Sequence, residues 1–197
     1  MARLELPAES DFTPAQRAAR DEVVAGRRGK VPAPMIAWLR NPQIAARTQK
    51  LGELLRYDTS LGPNLLELAI LVCARHWTAH VQWKAHKIYA LEAGIGREIV
   101  ADIAARRVPA FADEKQRVVY DFSTSLLSTS RVPTELYDRV LALLGETAVV
   151  ELTVLLGYYC IASFTLNVFE LGLPGSVAGE LEDPDWQELA DLTPGRI

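Results

Sequence analysis

Apolar residues recur along this chain at the three- and four-residue spacings of amphipathic helices. Between Pro42 and Tyr57, for example, Ile44, Leu51 and Leu55 share one helical face. Strand signals, such as strict alternation or a hairpin dipeptide between alternating runs, are almost absent. The pattern therefore predicts an all-α fold, a helical bundle of about eight helices joined by short connections.

Local signals place the ends of these helices. Thr13, Pro14 and Gln16 form a capping-box pattern at the start of the first helix, which should end near Gly26 or Gly29. The "VPAP" segment that follows is predicted to be an extended hinge. The later helices are predicted over residues 42–57, 64–77, 79–93, 97–107, 113–128, 134–144 and 146–170.

The chain length of 197 residues suits one domain. We divide it into an N-terminal helical arm (1–40), a helical domain (41–171) and a Pro/Gly-rich acidic tail (172–197). The tail contains Trp186, so we expect it to dock on the body or on a neighbouring subunit; a frayed end is the alternative.

The sequence also carries a faint internal repeat. The segments "LELAILVCARHW" (66–77) and "VELTVLLGYYCI" (150–161) superpose at an offset of 84 residues, which places Glu67 on Glu151. This pattern predicts two related helical halves packed face to face. A shared apolar helix period would produce the same similarity by accident.

Composition and charge exclude some partners. The net charge is −4 and no basic stripe is present, so nucleic acid is not expected to bind. The longest nearly apolar run, Leu152 to Ala162, is shorter than the roughly 18–20 residues of a membrane span. The two cysteines, Cys73 and Cys160, are too few for a disulfide framework. These features predict a cytoplasmic protein that does not associate with membranes.

Glu67 is the first candidate for chemistry. It lies among Leu65, Leu66, Leu68 and other apolar residues, on a helix that is apolar on every face and therefore buried. A buried carboxylate must be neutral or have a partner, and both situations suit proton transfer. The alternatives are an ordinary ion pair with an arginine, such as Arg75, or a helix start that still reaches water.

All three histidines fall within "HWTAHVQWKAH", residues 76–86. In a continuous helix His76 and His80 share a face, whereas His86 points elsewhere, and the HExxH pattern is absent. We therefore expect no metal site. His86 and Gln82 form an i, i+4 pair, and a histidine facing the helix of Glu67 would make an acid–base relay. The alternative is a packed, satisfied histidine.

At these residues the chain resembles the carboxymuconolactone decarboxylase superfamily, which includes alkyl hydroperoxidase D. The similarity covers about residues 41–171, through the succession "LELAIL", "ARHW", "QWKAH" and "ALEAGI", and again through "ELTVLLGYYCIASFTLNVFEL". The resemblance implies an all-α fold whose subunits assemble as a homotrimer or homohexamer.

The peroxidase branch of this superfamily uses a Glu, a Cys-x-x-Cys pair and a His. By resemblance, the glutamate falls on Glu67 and the histidine on His86, but the cysteines fall on Ala79 and Gln82. Peroxide reduction by that route needs a thiolate and a resolving thiol. Cys73 and Cys160 do not occupy the motif positions, which argues against a hydroperoxidase and leaves the acid–base residues.

The decarboxylase branch implies proton transfer without a cofactor or metal. On that comparison His86 would be the proton donor, oriented by Glu67 and Gln82, and His80 would stabilise an oxyanion. Arg75 would hold a substrate carboxylate. Trp83, with Trp77, would form an apolar wall or simply pack in the core or an interface.

The sequence thus predicts a cofactor-independent acid–base enzyme that acts on a small anionic cyclic or conjugated acid. The reaction would be decarboxylation, isomerisation or lactone chemistry. The alternatives are a hydroperoxidase-like antioxidant protein and a non-catalytic oligomer that binds a small ligand.

Overall fold

The computed structural model describes residues 2–171 and Leu181. Within this part of the chain the fold is all-α, as predicted, with a 3-10 turn at Glu9–Asp11 followed by nine α-helices. In chain order these are α1 Pro14–Ala25, α2 Met35–Trp38, α3 Pro42–Tyr57, α4 Pro63–His76, α5 His80–Glu92, α6 Arg97–Ala104, α7 Glu114–Thr129, α8 Thr134–Leu144 and α9 Glu146–Phe169.

The helix boundaries follow the local signals closely. At the start of α1, Thr13 accepts a hydrogen bond from the Gln16 backbone and the Gln16 side chain accepts one from the Thr13 backbone, so the capping box is present. Helix α3 begins at Pro42, and the side chain of Asn41 caps it. Only the four-residue helix α2 adds to the predicted set.

Helix α4 forms the centre of the bundle. Every residue from Leu65 to Arg75 is buried, and the helix packs against α5, α7 and α9. An apolar sequence without a polar face can be stable in water only when neighbours cover it on all sides, and burial of each large aliphatic side chain contributes roughly 1.5–3 kcal/mol. Glu67 is therefore carried into the interior by the helix to which it belongs.

The connection between α4 and α5 turns at Thr78. This residue is buried and has φ +47°, a left-handed conformation that is uncommon for a β-branched residue. Ala79 is the N-cap of α5, and no side chain caps this helix. The Thr78 hydroxyl instead accepts hydrogen bonds from Arg75 and Arg106.

The N-terminal segment packs into the body. Helix α1 lies against α3, and Val23, Met35 and Leu39 are fully buried in the structure. Residues 31–34 lie between α1 and α2. The predicted docking of Trp186 falls outside the described residues. Leu181 is buried and belongs to the main apolar cluster.

The two glutamates related by the internal repeat have different surroundings. Helices α4 and α9 pack against each other, but Glu67 is only 4% exposed while Glu151 is partly exposed. Glu151 accepts hydrogen bonds from the backbone and hydroxyl of Ser60, at 2.8 and 2.5 Å. The repeat itself remains a prediction.

Helix α9 combines a buried and an exposed apolar side. By length and composition it is apolar enough to cross a membrane, and 56% of its most apolar stretch is buried within the protein. The exposed side carries a row of apolar side chains at helical spacing: Val150, Val154, Ile161, Phe164 and Val168.

Candidate active site

Glu67 and His86 are in direct contact. The carboxylate Oε2 of Glu67, on α4, lies 2.7 Å from Nδ1 of His86, on α5. Both side chains are buried, at 4% and 9% exposure. A carboxylate that accepts a hydrogen bond from Nδ1–H fixes the orientation of the imidazole and leaves Nε2 as the nitrogen that can exchange a proton with a ligand. The helices therefore build a Glu–His dyad.

Arg56, from α3, supplies the second partner of Glu67. Its Nη1 lies 3.6 Å from Oε1 of the carboxylate, and its guanidinium stacks over the ring of Tyr89 at 4.4 Å. Burial lowers the pKa of Arg56, but Tyr159 and Glu67 outweigh burial and raise it. The buried carboxylate thus has a permanent counter-charge on one side and the imidazole on the other.

Tyr159, from α9, completes the surroundings of the imidazole. Its ring meets the ring of His86 edge to face, with centroids 5.0 Å apart. Burial raises the pKa of Tyr159, although the positive charge of Arg56 acts in the opposite direction. The phenol is therefore neutral at physiological pH, and its hydroxyl can donate a hydrogen bond.

His86 lies on the wall of a cavity of about 370 Å³, within the size range of small-molecule sites. Parts of α3, α5 and α9 and the segment between α1 and α2 form the walls. The polar side chains of the lining are Arg28, Lys30, Arg56, Tyr57, Gln82, His86, Tyr89, Tyr158 and Tyr159. Glu67 lines a neighbouring cavity of about 560 Å³, which shares Arg56, Tyr57 and Tyr89 with the first.

Arg28 lines this cavity and carries buried donors. Its Nε and Nη2 atoms are buried and have no hydrogen-bond partner among the described residues. These two nitrogens lie on the same edge of a guanidinium, the edge that binds a carboxylate through two parallel hydrogen bonds. A buried donor pair without a partner costs free energy. Both atoms are closed to solvent, so an anionic ligand would bind this edge only after the guanidinium turns toward the cavity.

Close packing positions the Arg28 guanidinium. A Cβ added to Gly52 would collide with the Tyr158 hydroxyl and would lie 2.8 Å from Nη2 of Arg28. Burial raises the pKa of Tyr158, while the charge and hydrogen bonding of Arg28 lower it. The absence of a side chain at Gly52 thus gives α3 room for both groups.

Gln82 also lines the cavity. The residue is buried, its Oε1 accepts a hydrogen bond from Ser163 at 3.0 Å, and its Nε2 has no hydrogen-bond partner among the described residues. The structure therefore brings Gln82 and His86 to one cavity, as the i, i+4 spacing predicted.

Three residues proposed from the sequence lie elsewhere. Arg75 donates to the Ala104 carbonyl at 2.7 Å and lines a different cavity of about 150 Å³. Trp83 is 1% exposed and belongs to the apolar core. His80 is half-buried, and neither it nor Trp83 is among the described residues that line the cavity of His86. The side chain of Arg75 thus points toward α6 and not into the cavity of His86, and its role in holding a substrate carboxylate stays a prediction.

Sequence reasoning missed Arg28 and the relation of the two cysteines. The sulfur atoms of Cys73 and Cys160 lie 3.9 Å apart, although the residues are 87 positions apart in the sequence. Only the basic "RRGK" segment hinted at Arg28, and nothing local signals a contact between α4 and α9. No group of three or more His, Cys, Asp or Glu residues that would hold a metal occurs among the described residues.

The comparisons with known proteins found similarity to solved structures, and it shows the fold alone. No protein-family model matches the chain, and no curated protein sequence matches it. A solved structure of a cysteine-to-alanine variant of the debrominase Bmp8, in complex with 2,3,4-tribromopyrrole, is similar with a TM-score of 0.67 and 14% identity, over 90% of this chain and 95% of that one.

The apo structure of Bmp8 gives the same result, with a TM-score of 0.67, 13% identity, and coverage of 89% of this chain and 94% of that one. At 14% and 13% identity, the likeness to the two Bmp8 structures shows a shared fold alone.

Proposed function

We propose that this protein is a cofactor-independent acid–base enzyme that acts on a small anionic cyclic or conjugated acid. The observation that carries the proposal is the 2.7 Å contact between Glu67 and His86 at the wall of a cavity that also holds Arg28 and Arg56. An oriented imidazole and a site for negative charge are the two components that such chemistry requires.

In this proposal His86 transfers the proton. Glu67 accepts the hydrogen bond from Nδ1, holds the ring in one tautomer and stabilises the imidazolium when Nε2 is protonated. In a decarboxylation, the bond to the departing carboxylate breaks, carbon dioxide leaves, and the electron pair moves into the conjugated carbonyl. His86 then gives its proton to carbon and takes another from solvent. Isomerisation would use the same group first as base and then as acid.

The buried donors determine which substrates fit. The Nε and Nη2 edge of Arg28 is suited to a carboxylate that remains on the substrate. Gln82 Nε2, with no partner among the described residues, and the neutral hydroxyl of Tyr159 are candidates for stabilising the oxyanion that forms on the carbonyl. A cavity of about 370 Å³ suits a ligand with one ring.

The fold comparison gives weaker support. Bmp8 was solved with a small heteroaromatic molecule, so a similar fold holds a ligand of the size proposed here. The reaction of Bmp8 is not transferred to this chain, because 14% identity does not fix the residues of a site.

Proton exchange with solvent tests the proposal through the proton-transfer step alone. The purified protein is incubated in D₂O with five- and six-membered unsaturated lactone and enone carboxylates, and the carbon-bound protons are followed by ¹H NMR. We expect deuterium incorporation or decarboxylation of at least one compound, with a loss of about 10²-fold or more in His86→Gln and in Glu67→Gln.

His76→Gln is the matched control, because this histidine lines the other cavity and should leave the rate unchanged. Binding without exchange or turnover would favour the non-catalytic oligomer. Loss of turnover after thiol alkylation would favour the hydroperoxidase-like alternative. Retained exchange in His86→Gln would contradict the proposed role of the dyad.

The remaining expectations about partners accompany this proposal. We propose a homotrimer or homohexamer, and the exposed apolar row on α9 offers a surface for a second copy. The cytoplasmic location and the absence of nucleic-acid and membrane partners stay predictions from the composition.

A further inference from the structure

Cys73 and Cys160 form a pair of thiols where two core helices cross. Cys73 lies on α4 and Cys160 on α9, and both are free thiols with their Sγ atoms 3.9 Å apart. A disulfide has an S–S length of about 2.05 Å, so the sulfurs must approach each other by about 2 Å. Rotation of a cysteine side chain about χ1 moves its sulfur by a distance of this order.

The two thiols have different surroundings. Cys73 is fully buried, whereas Cys160 is half-buried and its sulfur accepts a hydrogen bond from Nε1 of Trp77 at 3.2 Å. Hydrogen bonding from Cys73 and Trp77 lowers the pKa of Cys160 to about 7. The hydrogen bond to Cys160 and burial raise the pKa of Cys73. Cys160 is thus the thiol that ionises first and the one that a reagent can reach.

We propose that Cys73 and Cys160 are a redox-active dithiol that exchanges with low-molecular-weight disulfides, with Cys160 as the attacking thiol and Cys73 as the resolving thiol. The geometry that carries this inference is the contact of the two sulfurs together with the Trp77 N–H directed at only one of them.

The exchange balances in two steps. The Cys160 thiolate attacks one sulfur of RSSR, which forms a mixed disulfide at Cys160 and releases RS⁻. The sulfur of Cys73 then loses its proton and attacks the Cys160 sulfur, which forms the Cys73–Cys160 disulfide and releases the second RS⁻. The protein loses two electrons and two protons, and the small disulfide is reduced to two thiols.

The thiol pair adjoins the proposed acid–base centre, because Gln82 lines the cavity of His86 and also lies beside Cys73. Neither cysteine is among the residues that line the cavity of His86. Both sit beside residues of that centre in the chain, because Cys160 follows Tyr159 and Cys73 shares α4 with Glu67. The inference rests on the two sulfurs and Trp77, so it stands whether or not the dyad transfers a proton.

The experiment uses the full chain and oxidised glutathione as the disulfide. The protein is incubated with oxidised glutathione, the reaction is quenched with N-ethylmaleimide under denaturing conditions, and the mass of the intact protein is measured by mass spectrometry. With only two cysteines in the chain, the products are unambiguous. We expect wild type to lose two hydrogens and to take up neither maleimide nor glutathione.

The two single variants identify the roles. Cys73→Ala should accumulate one glutathione on Cys160, because no second thiol resolves the mixed disulfide. Cys160→Ala should keep a free thiol at Cys73 and react at least 10-fold more slowly. Circular dichroism verifies that each variant is folded.

A measurement on wild type keeps the test independent of the variants. With less than one equivalent of N-ethylmaleimide on the native protein, peptide mapping should find the label on Cys160. Equal or preferential labelling of Cys73 would overturn the assignment. A wild-type protein that keeps both thiols, keeps a bound glutathione, or forms only disulfide-linked dimers would overturn the proposed dithiol.

Discussion

Replacing Glu67 by glutamine tests whether the buried carboxylate is stabilised by its two partners. The substitution keeps the shape and one carbonyl oxygen but removes the charge. His86 Nδ1 at 2.7 Å can still donate to the amide oxygen, as a neutral hydrogen bond. Arg56, 3.6 Å away, loses its counter-charge.

The expected cost follows from these two contacts. A hydrogen bond to a charged group contributes about 1.5–3 kcal/mol against about 0.5–1.5 for a neutral one, so the contact with His86 loses about 1 kcal/mol. A surface ion pair contributes about 0–1 kcal/mol to stability. We expect the more buried pair of Glu67 and Arg56 to contribute more than this. Its loss should cost less than the loss of a fully buried pair, because Arg56 keeps its stacking on Tyr89.

We therefore expect Glu67→Gln to lower the free energy of unfolding by about 2 kcal/mol and the midpoint of thermal unfolding by about 4–8 °C. Circular dichroism during heating and in urea measures both quantities. Glu151→Gln is the matched control, since that glutamate is partly exposed and its Ser60 donors can bond to an amide oxygen; it should cost less than about 1 kcal/mol. If Glu67→Gln melts within about 1 °C of wild type, the electrostatic account of the dyad is refuted.

Four further outcomes are expected. The rate of alkylation of Cys160 by iodoacetamide should rise with pH and reach half its maximum near pH 7, because hydrogen bonding lowers the pKa of the thiol to about 7 and the thiolate is the reactive form; a midpoint near 8.5 would contradict this. Gly52→Ala should destabilise the protein by about 1–3 kcal/mol in urea, because the added methyl group collides with Tyr158, whereas Gly157→Ala, where a Cβ meets nothing within 4 Å, should be neutral or stabilising. Arg28→Lys should weaken binding of the tightest-binding lactone or enone carboxylate about 10-fold by calorimetry, because lysine keeps the charge but cannot form two parallel hydrogen bonds with a carboxylate. Unchanged affinity would show that Arg28 does not bind the ligand. Light scattering after size exclusion should give a homotrimer or homohexamer, since the apolar row on α9 needs cover in water, and a monomer would contradict this expectation.

The sequence predicted most of the fold because each helix carries its own signals. Capping at Thr13, proline starts such as Pro42, and apolar runs that need burial all act over a few residues. The contact of Glu67 with His86 could also be predicted from the sequence, because an apolar helix must bury its carboxylate and a buried carboxylate needs a partner.

The rest of the site depends on contacts between helices that are distant in sequence. The direction of Arg75 is set by the Ala104 carbonyl and by the turn at Thr78, and neither can be read from residues 66–86 alone. Arg28 enters the cavity because α1 and the segment after it pack on α3, where Gly52 leaves room. Side-chain direction and long-range packing, rather than residue type, decided these outcomes.

The left-handed turn at Thr78 has a consequence for the dyad. In an uninterrupted helix, residues 67 and 86 would be separated by about 28 Å along the axis, at 1.5 Å per residue. The sharp reversal between α4 and α5 instead packs the two helices against each other and brings the two side chains into contact. The left-handed backbone at Thr78 costs about 1–3 kcal/mol. A substitution that straightened this joint would pull acid and imidazole apart while leaving both residues in the sequence.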